Sequence, residues 1–159
     1  MDESEEQLVL YRKSKLWGVE KKIFSPGPKD YKSFSSRFGR IGMFICFDME
    51  FPEPSRELAK KGIDLIICPS VWSQSAKTRW EIQLPCRALD NQCYIAGVNT
   101  VFNQACGGTQ WVDPFGRVIN KASKDEEALI YGDFDKSLLE NARTSIPYLK
   151  EMNFDTSKE

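Results

Sequence analysis

The 159-residue chain contains no histidine. That absence excludes the Cys–His pairing on which the commonest thiol enzymes depend. Any activating base must be a carboxylate or a lysine. The five cysteines, at 46, 68, 86, 93 and 106, form no CxxC pair. Without histidine they offer no zinc site. Their odd, dispersed set suits a reducing compartment, and a cytoplasmic protein is expected. No apolar run approaches the roughly 20 residues that span a bilayer, so no membrane segment is expected. The start, "MDESEEQ", is acidic and polar, unlike a secretory signal or a transit peptide. An excess of one charge is missing too. Lys and Arg number 22 against 23 Asp and Glu, a net charge of -1, which gives no general attraction to nucleic acid or anionic membrane.

What remains is an ordinary globular composition, 41% hydrophobic and 28% charged, enough for one domain with a core. No internal repeat or low-complexity tract divides it. "LVLYR" (8–12) reads as a strand. The long polar and aromatic stretch that follows, with Pro26, Gly27 and Pro28, reads as a functional loop. "RIGMFICF" (40–47), "IDLIICPS" (63–70) and "QCYIAGVNTV" (92–101) are continuous apolar runs, the pattern of buried strands. Between them "PEPSRELAKKG" (52–62) has proline at a helix start, late basic residues and a glycine stop. "SAKTRWEIQLPCRALDN" (75–91) predicts a helix after a serine cap, kinked or broken at Pro85. Strand, helix, strand, helix, strand predicts an α/β fold with covered strands. Beyond it, two short strands are expected around the turn Asp113-Pro114-Phe115-Gly116. "EALIYGDFD" (127–135) reads as a further strand and "KSLLENARTS" (136–145) as a helix.

Cys46 falls at the end of the first buried strand, a few residues before a helix, with Asp48, Glu50 and Glu53 behind it. Ligands bind at the carboxyl ends of strands in open α/β sheets. A catalytic cysteine there needs a cation or a helix start to favour its thiolate. Taken alone, each cysteine is a small buried apolar residue. Lys13 taken alone is a solvated lysine. Glu53 and Arg56 read as a charged pair at the helix start, Asp48 as a cap of that helix, and Arg87 as a structural partner. Trp72 and Trp80 read as core or pocket wall.

The segments "YRKSKLW", "GMFICFDMEFPEPSRELAKKGIDLIICPS", "CRALDNQCYIAGVNT" and "DPFGRVI" follow one another as in the carbon–nitrogen hydrolase family, also called the nitrilase superfamily. The chain resembles that family from about residue 8 to about residue 149. Asp90 stands in "RALDN" where the family usually has glutamate. The resemblance implies an α-β-β-α sandwich and a Glu-Lys-Cys triad, with no metal or organic cofactor. Cys46 matches the nucleophile, Lys13 the lysine that stabilises the tetrahedral intermediate, and the backbone N–H of Phe47 the second oxyanion donor. Glu20 matches a further glutamate that many members carry after the lysine. The family's general base precedes the "YRK" segment, and Glu3, Glu5 and Glu6 do not sit in its motif. The chain therefore resembles the C-terminal portion of the domain, a single partial domain over 1–159 that is expected to expose strand edges and apolar surface. The expected activity is hydrolysis of a small amide or N-carbamoyl compound, with a nitrile less favoured, through a cysteine thioester in a homo-oligomer. The rival expectation is a catalytically inactive truncated member acting as a subunit or interaction module. An acyltransferase ranks third.

Overall fold

Three parallel strands form the centre of a six-stranded sheet in the computed structural model, which describes residues 9–102 and 104–152. They are β2 (Gly39–Met43), β3 (Leu65–Ser70) and β4 (Tyr94–Asn99). Parallel neighbours require long crossovers, which helices α2 (Pro52–Lys60) and α3 (Lys77–Asn91) provide. Antiparallel partners extend both sides: β1 (Ser33–Ser36) beside β2, and β5 (Gln110–Val112) then β6 (Val118–Lys121) beside β4. The fold is α/β, as the alternation of elements predicts. Of the expected α-β-β-α sandwich, the described residues hold one sheet and its helical layer.

Strand register explains how that layer packs. Gly42, Ile66, Ile95 and Val112 are cross-strand partners and share a face. A Cβ on Gly42 would stand 2.7 Å from Leu58 of α2, so the missing side chain admits the helix. Gly97 does the same for Leu84 and Trp80 of α3. Ile66, Cys68, Ile95, Leu58, Leu84 and Trp80 are accordingly buried in one core. The opposite face holds Met43, Ile67, Ala96 and Trp111, only partly buried, and Val98 is 47% exposed. A cavity of about 950 Å³ lies there between Val98, Trp111 and the 126–132 segment. Apolar surface is thus exposed on that face, in line with expectation.

Several elements differ from expectation. Residues 9–12 of "LVLYR" and all of 127–135 lie outside any strand, and Leu8 falls outside the described residues. Neither segment has a ladder partner among the described residues, and an extended segment becomes a strand only by pairing its backbone groups. The 127–135 segment instead leads into α4 (Lys136–Ser145), whose N-cap Asp135 accepts from Ser137 and Leu138 N–H. α3 runs unbroken through Pro85 and starts at Ala76 without a side-chain cap. The long loop contains two elements of its own, α1 (Glu20–Ile23) and β1. A final turn of helix, α5 (Tyr148–Glu151), follows α4. No helix among the described residues is long and apolar enough to cross a membrane.

Candidate active site

β2 ends at Met43, three residues before Cys46. One more sheet-like bond follows, from Phe44 N–H to the Ile67 carbonyl at 3.3 Å. The chain then turns sharply. Cys46 adopts φ of +48°, a left-handed conformation that costs a non-glycine residue about 1–3 kcal/mol. It opens a 3₁₀ turn over Cys46–Glu50. The turn is closed by Asp48 N–H donating to the Ile45 carbonyl at 3.1 Å and Ile45 N–H donating to Asp48 Oδ2 at 3.1 Å. This lifts the side chain of Cys46 to the carboxyl ends of the parallel strands. Its Sγ lies 4.0 Å from the carbonyl oxygen of Val71, one residue beyond β3.

The segment carrying Lys13 crosses the same end of the sheet. Lys13 Nζ contacts Glu20 Oε1 at 2.8 Å and Oε2 at 2.7 Å, a fork that leaves the lysine side chain only 13% exposed. Glu20 Oε2 also accepts from Trp17 N–H at 2.7 Å. Burial pushes the Glu20 carboxyl up, but the hydrogen bonds from Lys13 and Trp17 and the lysine's charge outweigh it and hold the carboxyl below its usual range. For Cys46, burial pushes the thiol up. The charge of Lys13 and backbone hydrogen bonding at Val71 and Phe47 pull it down, Glu20 opposes them, and the net shift is upward. Lys13, Glu20 and the Phe47 backbone, all expected to act with Cys46, thus each lie within electrostatic or hydrogen-bond reach of it. The Phe47 ring stands between Trp17 and Phe51, with centroids 4.8 and 5.1 Å away.

The supporting residues differ from expectation. Asp48 does not cap α2. It is fully buried and accepts from Tyr11 OH, Ser14 N–H and Oγ, Lys15 N–H and Ile45 N–H. Arg56 donates to the Asp90 carbonyl at 2.8 Å rather than pairing with Glu53. Arg87 does serve structurally, reaching the Glu50 carbonyl at 3.1 Å and Asp90 at 3.7 Å. Trp72 and Trp80 are core, 3% and 1% exposed. Sequence reading missed Asn99, which ends β4 and holds the loop after β3. Its Oδ1 accepts from Trp72 N–H at 2.7 Å, and its Nδ2 donates to the Gly107 carbonyl at 2.9 Å. The large cavity on the open sheet face includes neither Cys46 nor Lys13. Among the described residues no cluster of three or more His, Cys, Asp or Glu side chains is placed to hold a metal.

Comparison with known proteins gives the family of the chain. Residues 1–144 match the family model described as carbon-nitrogen hydrolase. The mouse omega-amidase NIT2 is 31% identical over 163 residues, covering 93% of this chain and 58% of its own. The crystal structure of Saccharomyces cerevisiae Nit3, described as a member of branch 10 of the nitrilase superfamily, superposes with a TM-score of 0.82 at 31% identity. That match covers 91% of this chain and 54% of the yeast chain. A mutant amidase from Nesterenkonia sp. AN1, showing the result of acrylamide addition at its active-site cysteine, gives a TM-score of 0.69 at 28% identity. It covers 72% of this chain and 47% of its own. The chain spans about half the length of the relatives it matches.

Proposed function

The chain belongs to the carbon–nitrogen hydrolase family, and from that premise we propose that it carries the nucleophile of an amidase-type hydrolase. The observation that carries the reading is Cys46 raised on a left-handed turn within coulombic reach of the Lys13–Glu20 pair. The substrate class is a small amide or N-carbamoyl compound. Names of the relatives support this choice over a nitrile, since they include omega-amidases and an (R)-stereoselective amidase.

In this reading a glutamate outside the 159 residues takes the proton of the Cys46 thiol. The thiolate attacks the carbonyl carbon and the C=O electron pair moves onto oxygen. The Lys13 ammonium, within coulombic reach of the cysteine, and the Phe47 N–H beside it stabilise that oxyanion. The C–N bond then breaks, and the nitrogen leaves as ammonia or an amine with the proton held by the base. A thioester on Cys46 remains. Water gives a proton to the same base, attacks the thioester carbon and releases the acid, restoring the thiol. Glu20 keeps Lys13 charged and aimed.

A second reading has its own observation. The Cys46 thiol is shifted upward, and Glu20, the carboxylate facing it on the N-terminal segment, is engaged by Lys13. A chain in this state would be a catalytically silent subunit. Assay on small amides and N-carbamoyl compounds of the 159-residue protein supplied with a glutamate-bearing N-terminal segment of a relative, with Cys46→Ala as control, separates the two. Turnover lost in Cys46→Ala establishes the amidase; no turnover with Cys46 still alkylated selectively establishes the silent subunit. Failure of Cys46 to react selectively would refute both.

A further inference from the structure

One buried carboxylate joins the two halves of the site. Asp48 Oδ1 accepts from Ser14 Oγ at 2.8 Å, Ser14 N–H at 3.2 Å and Lys15 N–H at 2.7 Å, the two residues after Lys13. Its Oδ2 accepts from Tyr11 OH at 2.7 Å, two residues before Lys13, and from Ile45 N–H at 3.1 Å, immediately before Cys46. Among the described residues the lysine's segment has no ladder partner, and these bonds tie it to the sheet end. The same carboxylate closes the turn that holds Cys46 left-handed.

We propose that Asp48 is a positioning residue that locks the lysine-bearing segment to the nucleophile's turn, so that Lys13 faces Cys46. The inference rests on the reading of Cys46 as nucleophile and Lys13 as its cation. The titratable groups facing Cys46 are Lys13 and Glu20 on the N-terminal segment and Cys68 on β3, with Asp48 two residues along its own turn. Opposite signs separate positioning from simple charge. Neutralising Asp48 by itself removes a negative charge near the thiol and would favour the thiolate. Releasing Lys13 does the reverse. Asparagine keeps the shape of aspartate but turns an NH2 donor toward N–H and O–H donors, so it breaks the lock.

The test is the pH dependence of iodoacetamide alkylation of Cys46, in which the thiolate sulfur displaces iodide, resolved by mass spectrometry at each cysteine. Asp48→Asn is expected to move the Cys46 midpoint upward and slow alkylation about tenfold at pH 7, the effect of about one unit in a thiol's midpoint. Cys68 and Cys93, both fully buried, should stay protected. In a Lys13→Met background, Asp48→Asn should produce no further upward shift. A downward or absent shift overturns the proposal, as does exposure of Cys68 and Cys93, which would mark a merely structural role. If Asp48→Asn fails to fold, Tyr11→Phe decides, since it removes one bond of the lock: an upward midpoint supports the proposal and an unchanged one overturns it. Lys13→Met alone separates the two levels. Should it leave the Cys46 midpoint in place, the functional reading fails; should it shift the midpoint while Asp48→Asn does not, only the positioning role fails.

Discussion

Lys13 Nζ sits between the two carboxylate oxygens of Glu20, at 2.8 and 2.7 Å, so the cation facing Cys46 is held by a residue seven positions downstream. The negative charge of Glu20 raises the Cys46 thiol while the positive charge of Lys13 lowers it. The two substitutions should therefore move the thiol in opposite directions. Lys13→Met raises the alkylation midpoint of Cys46. Glu20→Gln lowers it, because glutamine keeps an acceptor for the ammonium but removes the opposing charge. Midpoints that move the same way in both variants would mean that Glu20 acts on the cysteine chiefly by aiming Lys13.

The same pair makes a pH-dependent contribution to stability. The Glu20 carboxyl is held below its usual range in the folded protein. A depressed carboxyl stabilises the fold above its unfolded pKa of about 4.3 and loses that contribution as pH falls through the folded value. With the glutamate side chain 32% exposed, solvent screening limits the contribution to about 0.5–1 kcal/mol. Urea unfolding of the wild type and of Glu20→Gln should differ by that amount at pH 7 and converge as pH falls below about 4.3 and through the folded value. A gap that persists undiminished in acid would assign the difference to packing instead of charge.

Gly27 is where the loop passes the lysine segment. Its N–H donates to the Lys13 carbonyl at 2.8 Å, and an added Cβ would collide with the Arg12 carbonyl oxygen and stand 2.7 Å from the Arg12 carbonyl carbon. Backbone atoms cannot rotate away as a side-chain end can. Gly27→Ala should lower the unfolding free energy by about 2 kcal/mol, as overpacking does, and should push Lys13 away from Cys46. Thermal melting together with the alkylation profile checks both effects. An alanine variant with an unaltered melting temperature would show that the segment shifts at no cost.

The parallel core was legible because a strand buried on one face and half-covered on the other is apolar at nearly every position, as "IDLIICPS" and "QCYIAGVNTV" are. Helix α2 was legible from Pro52 at its start and Gly62 just past its end, where φ is +70°. Cys46 and Lys13 were singled out through motif context, since neither residue type declares a role alone. β1 was missed because "SFSS" has one apolar residue and forms only by pairing with β2. "EALIYGDFD" was misread because its composition suits a strand while no neighbour among the described residues offers it a ladder; Leu129 and Tyr131 are 85% and 80% exposed. Asp48 was mistaken for a helix cap because local sequence shows its distance to α2 but not the donors that reach it from residues 11 to 15. Pro85 gave a false break: α3 tolerates the missing N–H, and the Gly116 turn packs against the Pro85 carbonyl.

Asn99 supports Cys46 from the opposite side, through the loop after β3. Its amide bridges Trp72 N–H at 2.7 Å and the Gly107 carbonyl at 2.9 Å, and also lies 3.3 Å from Cys106 Sγ. Asn99→Ala leaves the Trp72 N–H without its acceptor in a buried setting and weakens the tie to Gly107. Each buried polar group left unpaired costs about 1–3 kcal/mol, so a loss near 3 kcal/mol is expected in urea unfolding. The effect should also be local. Val71, whose carbonyl lies 4.0 Å from Cys46 Sγ, precedes Trp72 directly, so loosening Trp72 loosens one wall of the nucleophile. Cys106, 2% exposed in the native chain, should begin to alkylate before Cys68 or Cys93 does, because the opened loop is its cover. Simultaneous release of all three buried thiols would instead mean that Asn99 holds the whole sheet, and the Cys46 wall would have no separate dependence on it.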